Sequence, residues 1–136
     1  MKTDISRLRK LLRENESSRL EYLQGILQEE NPMRIGSLVT VRRKCGKPNC
    51  RCAEGEGHLS TYLSTKEEGK TRMVYIPAVC LDTVTQQTRT YRRFRNNRAA
   101  LVKLAQQSLL LIDRLQRMLQ ITKGASLKEK KKQRKN

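Results

Sequence analysis

The chain has 136 residues, of which 36% are hydrophobic, and it contains one Phe and no Trp. Its 30 Lys and Arg residues outnumber 13 Asp and Glu residues, which gives a formal net charge of +17. This composition excludes a large globular core and favours a small domain that is helped by a metal ion or by association. The positive charge makes a polyanion the expected partner, with nucleic acid first and an anionic membrane surface second.

The first predicted element is a helix over residues 3–29. Thr3 or Asp4 can cap its start, and apolar residues recur at helical spacing over 5–12 and again over 20–27. The polar stretch 13–19 interrupts this stripe. Pro32 ends the helix, so we assign residues 1–33 to an N-terminal helical segment with 6 basic and 6 acidic side chains.

Three strands are predicted next, over residues 35–43, 59–65 and 71–76. Each is rich in β-branched and apolar residues, and Pro77 stops the third. Residues 66–70 form a turn in which Gly69 can adopt a positive φ. Residues 34–80 therefore form a small antiparallel meander, with a long cysteine-containing loop between its first two strands.

A second, long helix is predicted from residue 78 or 82 to residue 122, because this stretch lacks Pro and Gly and carries a broad apolar stripe. Five arginines cluster over residues 89–98. The stripe over 102–119 exceeds what the first helix can cover, so it predicts a homodimer or a larger partner protein. We assign 81–124 to this basic, amphipathic helix and 125–136 to a disordered basic tail. The predicted fold class is thus α+β.

Three of the four cysteines and the only histidine fall within fourteen residues, with the spacing C-x4-C-x-C-x5-H. The candidate metal ligands are Cys45, Cys50, Cys52 and His58. Three thiolates and an imidazole on a glycine-punctuated loop are typical of a closed tetrahedral zinc site. Two alternatives are unmetallated structural thiols and redox or iron–sulfur chemistry. Cys80 is a rival to His58 as fourth ligand, although it also suits a small apolar position at a helix start.

Basic side chains on both sides of this loop and on the second helix are candidates for phosphate contact. They are Arg42, Arg43, Lys47, Arg51, Arg92, Arg93 and Arg95. The alternative is a solvated, purely structural surface. The aromatic residues Tyr62, Tyr75, Tyr91 and Phe94 can stack on bases, but they are expected instead to fill the small core between the sheet and the helices.

Several segments of the chain resemble a family of short prokaryotic proteins of unknown function, often companions of mobile-element genes. Residues 45–52 read Cys-Gly-Lys-Pro-Asn-Cys-Arg-Cys, and Gly55, Gly57 and His58 follow. Further similar segments are 34–39, 62–64, 69–72, 74–77 and 91–93. The resemblance covers about residues 34–95. It implies that the three cysteines and His58 act as a unit, and it carries no enzymatic activity.

These observations predict a nucleic-acid-binding accessory module with a structural zinc site that assists a larger nucleic-acid enzyme. Neither DNA nor RNA is favoured. A protein-interaction adaptor using the apolar stripe of the long helix is the alternative. An enzyme is not expected, because four protein ligands leave a zinc ion no open position, and no small-molecule substrate is expected either. The chain lacks an apolar signal core and a membrane-length apolar run, so we expect a cytoplasmic protein without membrane contact.

Overall fold

The computed structural model of the protein, which describes residues 2–121, confirms the predicted α+β architecture. Helix α1 spans Lys2–Leu27 and helix α2 spans Leu81–Leu119. Between them lie the strands β1 (Ser37–Arg43), β2 (His58–Glu67) and β3 (Lys70–Ile76). The predicted disordered tail, 125–136, lies outside the described residues. None of the helices in residues 2–121 combines the length and hydrophobicity needed to cross a membrane.

The chain divides into two compact units. One contains α1 and the C-terminal part of α2 from residue 97, and the other contains residues 28–96. Helix α2 therefore contributes its first half to the unit that holds the sheet and its second half to a helical hairpin.

The sheet has the order β1-β2-β3, and both pairs of strands are antiparallel. A two-residue loop joins β2 to β3, and its residues Glu68 and Gly69 have φ angles of 52° and 79°. Two consecutive positive φ angles are typical of the tight turn that matches the twist of a β-hairpin. The turn is therefore shorter than the predicted turn over residues 66–70. Lys66 and Glu67 belong to β2, and Lys70 belongs to β3.

One face of the sheet packs on the first half of α2 and forms the core of this unit. Leu63 of β2, Ile76 of β3 and Val84 of α2 are all buried, and Leu38 and Leu81 pack against them. Side chains alternate between the two faces of a strand, so the residues between these positions lie on the opposite face. This core fixes the direction in which β2 leaves the cysteine-containing loop.

The other unit is an antiparallel hairpin of α1 and the second half of α2. Gly25 lies beside Asn97, and ten residues earlier in α1 the Asn15 amide donates to the Leu104 carbonyl at 2.7 Å. The earlier residue of α1 thus pairs with the later residue of α2, which shows that the two helices are antiparallel.

A partly buried polar network lies in the middle of the hairpin. The hydroxyl of Ser108, a residue only 4% exposed, accepts a hydrogen bond from the Asn15 amide at 2.6 Å and donates to Glu16 at 2.8 Å. Arg19 completes the network by donating to the other oxygen of Glu16 at 2.9 Å. The polar interruption predicted at 13–19 therefore faces a serine within the apolar stripe of α2.

Candidate metal centre

The four predicted ligands lie together in the loop that joins β1 to β2. Their ligand atoms are all within 4.8 Å of one another. The Sγ atoms of Cys45 and Cys52 are 3.3 Å apart, and the Sγ atom of Cys50 is 3.1 Å from Nε2 of His58. Ligand atoms about 2.0–2.3 Å from a central ion in a tetrahedron stand roughly 3.3–3.8 Å from each other. The four side chains are thus close enough to bind a metal ion.

Cys80, the rival fourth ligand, is not part of this group. It lies on the short 3₁₀ helix Ala78–Cys80 that precedes α2, and it is exposed. The prediction that His58 rather than Cys80 accompanies the three cysteines agrees with this placement. The position of Cys80 immediately before Leu81, the first residue of α2, agrees with its alternative interpretation as a residue at a helix start.

Tight turns of the loop backbone bring the cysteines together. The amide of Cys50 donates to the Lys47 carbonyl at 3.2 Å, and the amide of Ala53 donates to the Cys50 carbonyl at 3.1 Å. These bonds lead into the 3₁₀ helix Arg51–Ala53, which buries Cys52 to 7% exposure. The backbone N–H of Cys45 then donates to the Cys52 sulfur at 3.3 Å. Backbone donation to sulfur is a common outer-sphere feature of thiolate metal sites.

Gly57 closes the loop against the end of β1. Its φ is +91°, and a Cβ atom on it would lie 2.6 Å from the carbonyl carbon of Arg43 and 2.7 Å from its oxygen. The next residue, His58, begins β2 directly opposite Arg43. The close approach of two backbone segments therefore positions the histidine, and only glycine permits it.

The local electrostatics favour a thiolate at the first cysteine. A hydrogen bond from the Lys47 backbone N–H, followed by one from the Cys52 thiol, lowers the pKa of Cys45 to about 6. The Cys45 amide lowers the pKa of Cys52, but the neighbouring Cys45 sulfur and burial outweigh this effect and raise it. These contacts therefore favour the thiolate form of Cys45, and a bound cation would favour deprotonation of the other cysteines.

The predicted phosphate-contacting residues of β1 and the loop lie next to the cluster. Arg42 is the partner of Leu59 in the sheet and forms an ion pair with Glu56 at 3.5 Å. Arg43 places its guanidinium carbon 5.0 Å from the centre of the Tyr62 ring. Lys47 and Arg51 belong to the loop itself, and both are exposed.

The three predicted residues of α2 lie in the first half of that helix. Arg93 donates to both carboxylate oxygens of Glu29 at 3.0 Å, so its charge is partly satisfied within the protein. Arg92 and Arg95 are exposed and three residues apart, which places them on one face of the helix.

The expectation that the aromatic residues fill the core is wrong for Tyr75, which is 56% exposed. Val39, Tyr62 and Tyr75 are aligned across the three strands on the face opposite the buried core. The alternation of residues in β2 and β3 does not show which face is buried, because both faces of this three-stranded meander carry apolar residues. Only the pairing register and the position of α2 show which face is covered.

The comparison with protein families matches residues 5–86 to a domain of unknown function, DUF6788. The match spans α1 from residue 5 onward, the whole sheet, the cysteine-containing loop and the start of α2. No curated protein and no solved structure matches the chain significantly. Because the matched segment comprises 82 of the 136 residues, the chain belongs to the DUF6788 family of proteins of unknown function.

Proposed function

We propose that the protein is a nucleic-acid-binding accessory module that contains a structural zinc site and assists a larger nucleic-acid enzyme of the mobile-element type. The observation that carries this proposal is the combination of a closed Cys₃His cluster with a net charge of +17. The association with a mobile element rests on the sequence resemblance over residues 34–95 alone.

Zinc is the metal that suits the cluster best. Three thiolates and one imidazole form a donor set of borderline softness, and tetrahedral sites of this composition are characteristic of structural zinc. The four protein ligands leave no open coordination position for a substrate or a water molecule. We therefore assign the site a structural role, connecting the end of β1 to the start of β2, and no catalytic one.

The distribution of charge supports a polyanionic partner. Residues 34–80 carry 9 basic and 4 acidic side chains, and residues 81–124 carry 9 and 2, whereas residues 1–33 are balanced. Lys47, Arg51, Arg92 and Arg95 are exposed. Lys and Arg side chains that neutralise phosphates release counterions, which makes binding steeply dependent on salt.

Titrations with labelled nucleic acid across salt concentrations test this proposal. Fluorescence anisotropy with a duplex and a single strand of about 20 nucleotides should give an affinity that falls steeply with salt. Arg92→Gln and Arg95→Gln should each reduce the slope of log K against log salt by about 1. Arg9→Gln, an exposed arginine of the balanced helix α1, is the matched control and should leave the slope unchanged. An affinity that is indifferent to salt would contradict nucleic-acid binding.

A second candidate function, a protein-interaction adaptor, is favoured by the apolar surface of the hairpin. Val102, Leu109, Ile112 and Leu119 are 43–59% exposed, and their spacing of seven, three and seven residues places them on one side of α2. Size-exclusion chromatography with light scattering distinguishes the occupants of this stripe. A monomer would support capture of a partner helix, whereas a homodimer that Leu109→Glu dissociates would assign the stripe to a second copy.

A further inference from the structure

One face of the three-stranded sheet carries an aromatic row and is not covered by the core of its own unit. Antiparallel partners share a face, so the register Val39↔Tyr62↔Tyr75 places these three side chains side by side. Leu63 and Ile76, which pack on α2, belong to the opposite face. We call the face with the tyrosines the open face.

The open face exposes apolar surface on the edge strand β3. Tyr75 is 56% exposed and the neighbouring Met73 is 39% exposed. Tyr62 contacts Tyr75 edge-to-face, with ring centres 5.8 Å apart and planes at 67°. Since Arg43 lies over the ring of Tyr62, Tyr75 is the ring of this pair with more surface free for a ligand.

The charges on the open face are all positive. Its twelve strand positions contain no Asp or Glu, but they include Arg43 opposite His58 at one end and Lys66 opposite Thr71 at the other. The single acidic residue of the strands, Glu67, lies on the opposite face, where it pairs with Arg72 at 3.3 Å. The backbones of Arg43 and Lys66 each stand about four residues, or roughly 13 Å, along the strands from the tyrosine row. The long side chain of Arg43 reaches back toward this row, so that its guanidinium carbon lies 5.0 Å from the centre of the Tyr62 ring.

We propose that the open face binds a single-stranded nucleic acid, with a base stacked on Tyr75 and phosphates contacted by Arg43 and Lys66. An unpaired nucleotide presents a flat base joined to an anionic backbone. A free aromatic ring between two cations complements both parts, because the ring can stack on the base and the cations can contact phosphates. A duplex keeps its bases stacked on one another, so it cannot use the ring in this way. The inference rests on the proposed nucleic-acid binding and specifies the form of nucleic acid that this face takes.

The absence of carboxylates on the open face decides against a protein occupant. A peptide partner would gain from the apolar row but not from two uncompensated cations unless it were itself acidic. A second copy of this chain would bring its own Arg43 and Lys66 against the same positive face, which is unfavourable. The charge pattern therefore favours a polyanion whose bases are accessible.

Substitution of Tyr75 in the full-length, metal-loaded protein tests the inference. Tyr75→Ala should weaken binding of dT20 and U20 single strands by about 5- to 150-fold, the effect of losing one stacked base. Tyr75→Phe keeps the ring and should bind within about twofold of the unchanged protein. Tyr22→Ala removes an exposed tyrosine of α1 and is the matched control, with no change expected. Binding of a 20-base-pair duplex should be unaffected by Tyr75→Ala.

The protein contains no Trp, so its emission comes from four tyrosines and reports stacking directly. Single strands should quench this emission in the unchanged protein and quench it less in Tyr75→Phe. Circular dichroism should show that Tyr75→Ala remains folded, since the side chain is more than half exposed.

Different results would overturn different statements. If the unchanged protein binds nucleic acid with a steep salt dependence but Tyr75→Ala behaves like Tyr22→Ala, the open face is not the binding surface and the proposed function stands. If neither single strand nor duplex binds, the proposed function fails and the inference fails with it. If Tyr75→Ala dissociates a dimer without changing affinity for the single strands, the face belongs to a second copy.

Discussion

Gly57→Ala provides a sharp test of how the loop holds the metal ligands. Gly57 precedes His58, has a φ of +91°, and leaves only 2.6–2.9 Å between an added Cβ and backbone atoms of Arg43 and Lys44. Gly46→Ala is a matched control in the same loop, because Gly46 has a φ of +80° with nothing within 4 Å of an added Cβ.

The two variants separate backbone conformation from steric contact. Each substitution destabilises the loop by about 1–2 kcal/mol, because it places a non-glycine residue in the left-handed region. Only Gly57→Ala must also push two backbone segments apart, which costs about 1–3 kcal/mol more by analogy with overpacked interiors. The four candidate ligands can share one metal ion only when the loop is closed. This additional free energy should therefore appear as a loss of metal affinity.

Competition with a chromophoric chelator at neutral pH measures the effect. Gly57→Ala should bind zinc about 5- to 150-fold more weakly than Gly46→Ala, which is the additional cost expressed as a ratio of dissociation constants. Equal affinities of the two variants would refute the view that the close approach of Gly57 to Arg43 positions His58.

Three further predictions concern the hairpin and the fourth cysteine. Ser108→Ala removes the hydroxyl that links Asn15 to Glu16 and should lower the free energy of unfolding in urea by about 1–2 kcal/mol, whereas an unchanged midpoint would contradict a structural role for the network. Hydrogen bonds from Arg19, then Ser108, lower the pKa of Glu16 below 4.5. The ionised Glu16 carboxylate therefore stabilises the fold above about pH 4.5, and this stabilisation is lost as the pH falls through the lowered pKa. The melting temperature of the unchanged protein should therefore fall more steeply with acidification than that of Glu16→Gln. Cys80→Ala should retain its metal in elemental analysis, and retention by Cys50→Ala as well would contradict the assigned ligand set.

The elements, and the clustering of the three cysteines with His58, could be predicted because their signals are local. Helical spacing of apolar residues identified α1 and α2, and Pro32 and Pro77 marked the breaks on either side of the sheet. The three cysteines and His58 fall within fourteen residues, so they cannot lie far apart. Their clustering could therefore be predicted from the sequence of the loop alone. The hairpin turn at Gly69 likewise depends on a local conformational preference.

The remaining features depend on pairing between distant segments. Ser108 and the polar stretch of α1 interrupt two separate apolar stripes, and only the antiparallel hairpin shows that these interruptions meet. The exposure of Tyr75 depends on which face of the sheet α2 covers, which the alternation of apolar residues does not decide. Likewise, the ion pair between Arg93 and Glu29 joins residues 64 apart in the chain, so its effect on the basic surface could not be foreseen.

The central claim is that Cys45, Cys50, Cys52 and His58 hold one structural zinc ion. Elemental analysis and X-ray absorption spectroscopy of protein purified without a tag test it most directly. We expect one zinc ion per chain, with three sulfur neighbours at about 2.3 Å and one nitrogen at about 2.0–2.1 Å, and a lower melting temperature after chelation. Protein that contains no stoichiometric metal, with a melting curve that chelation leaves unchanged, would contradict the claim.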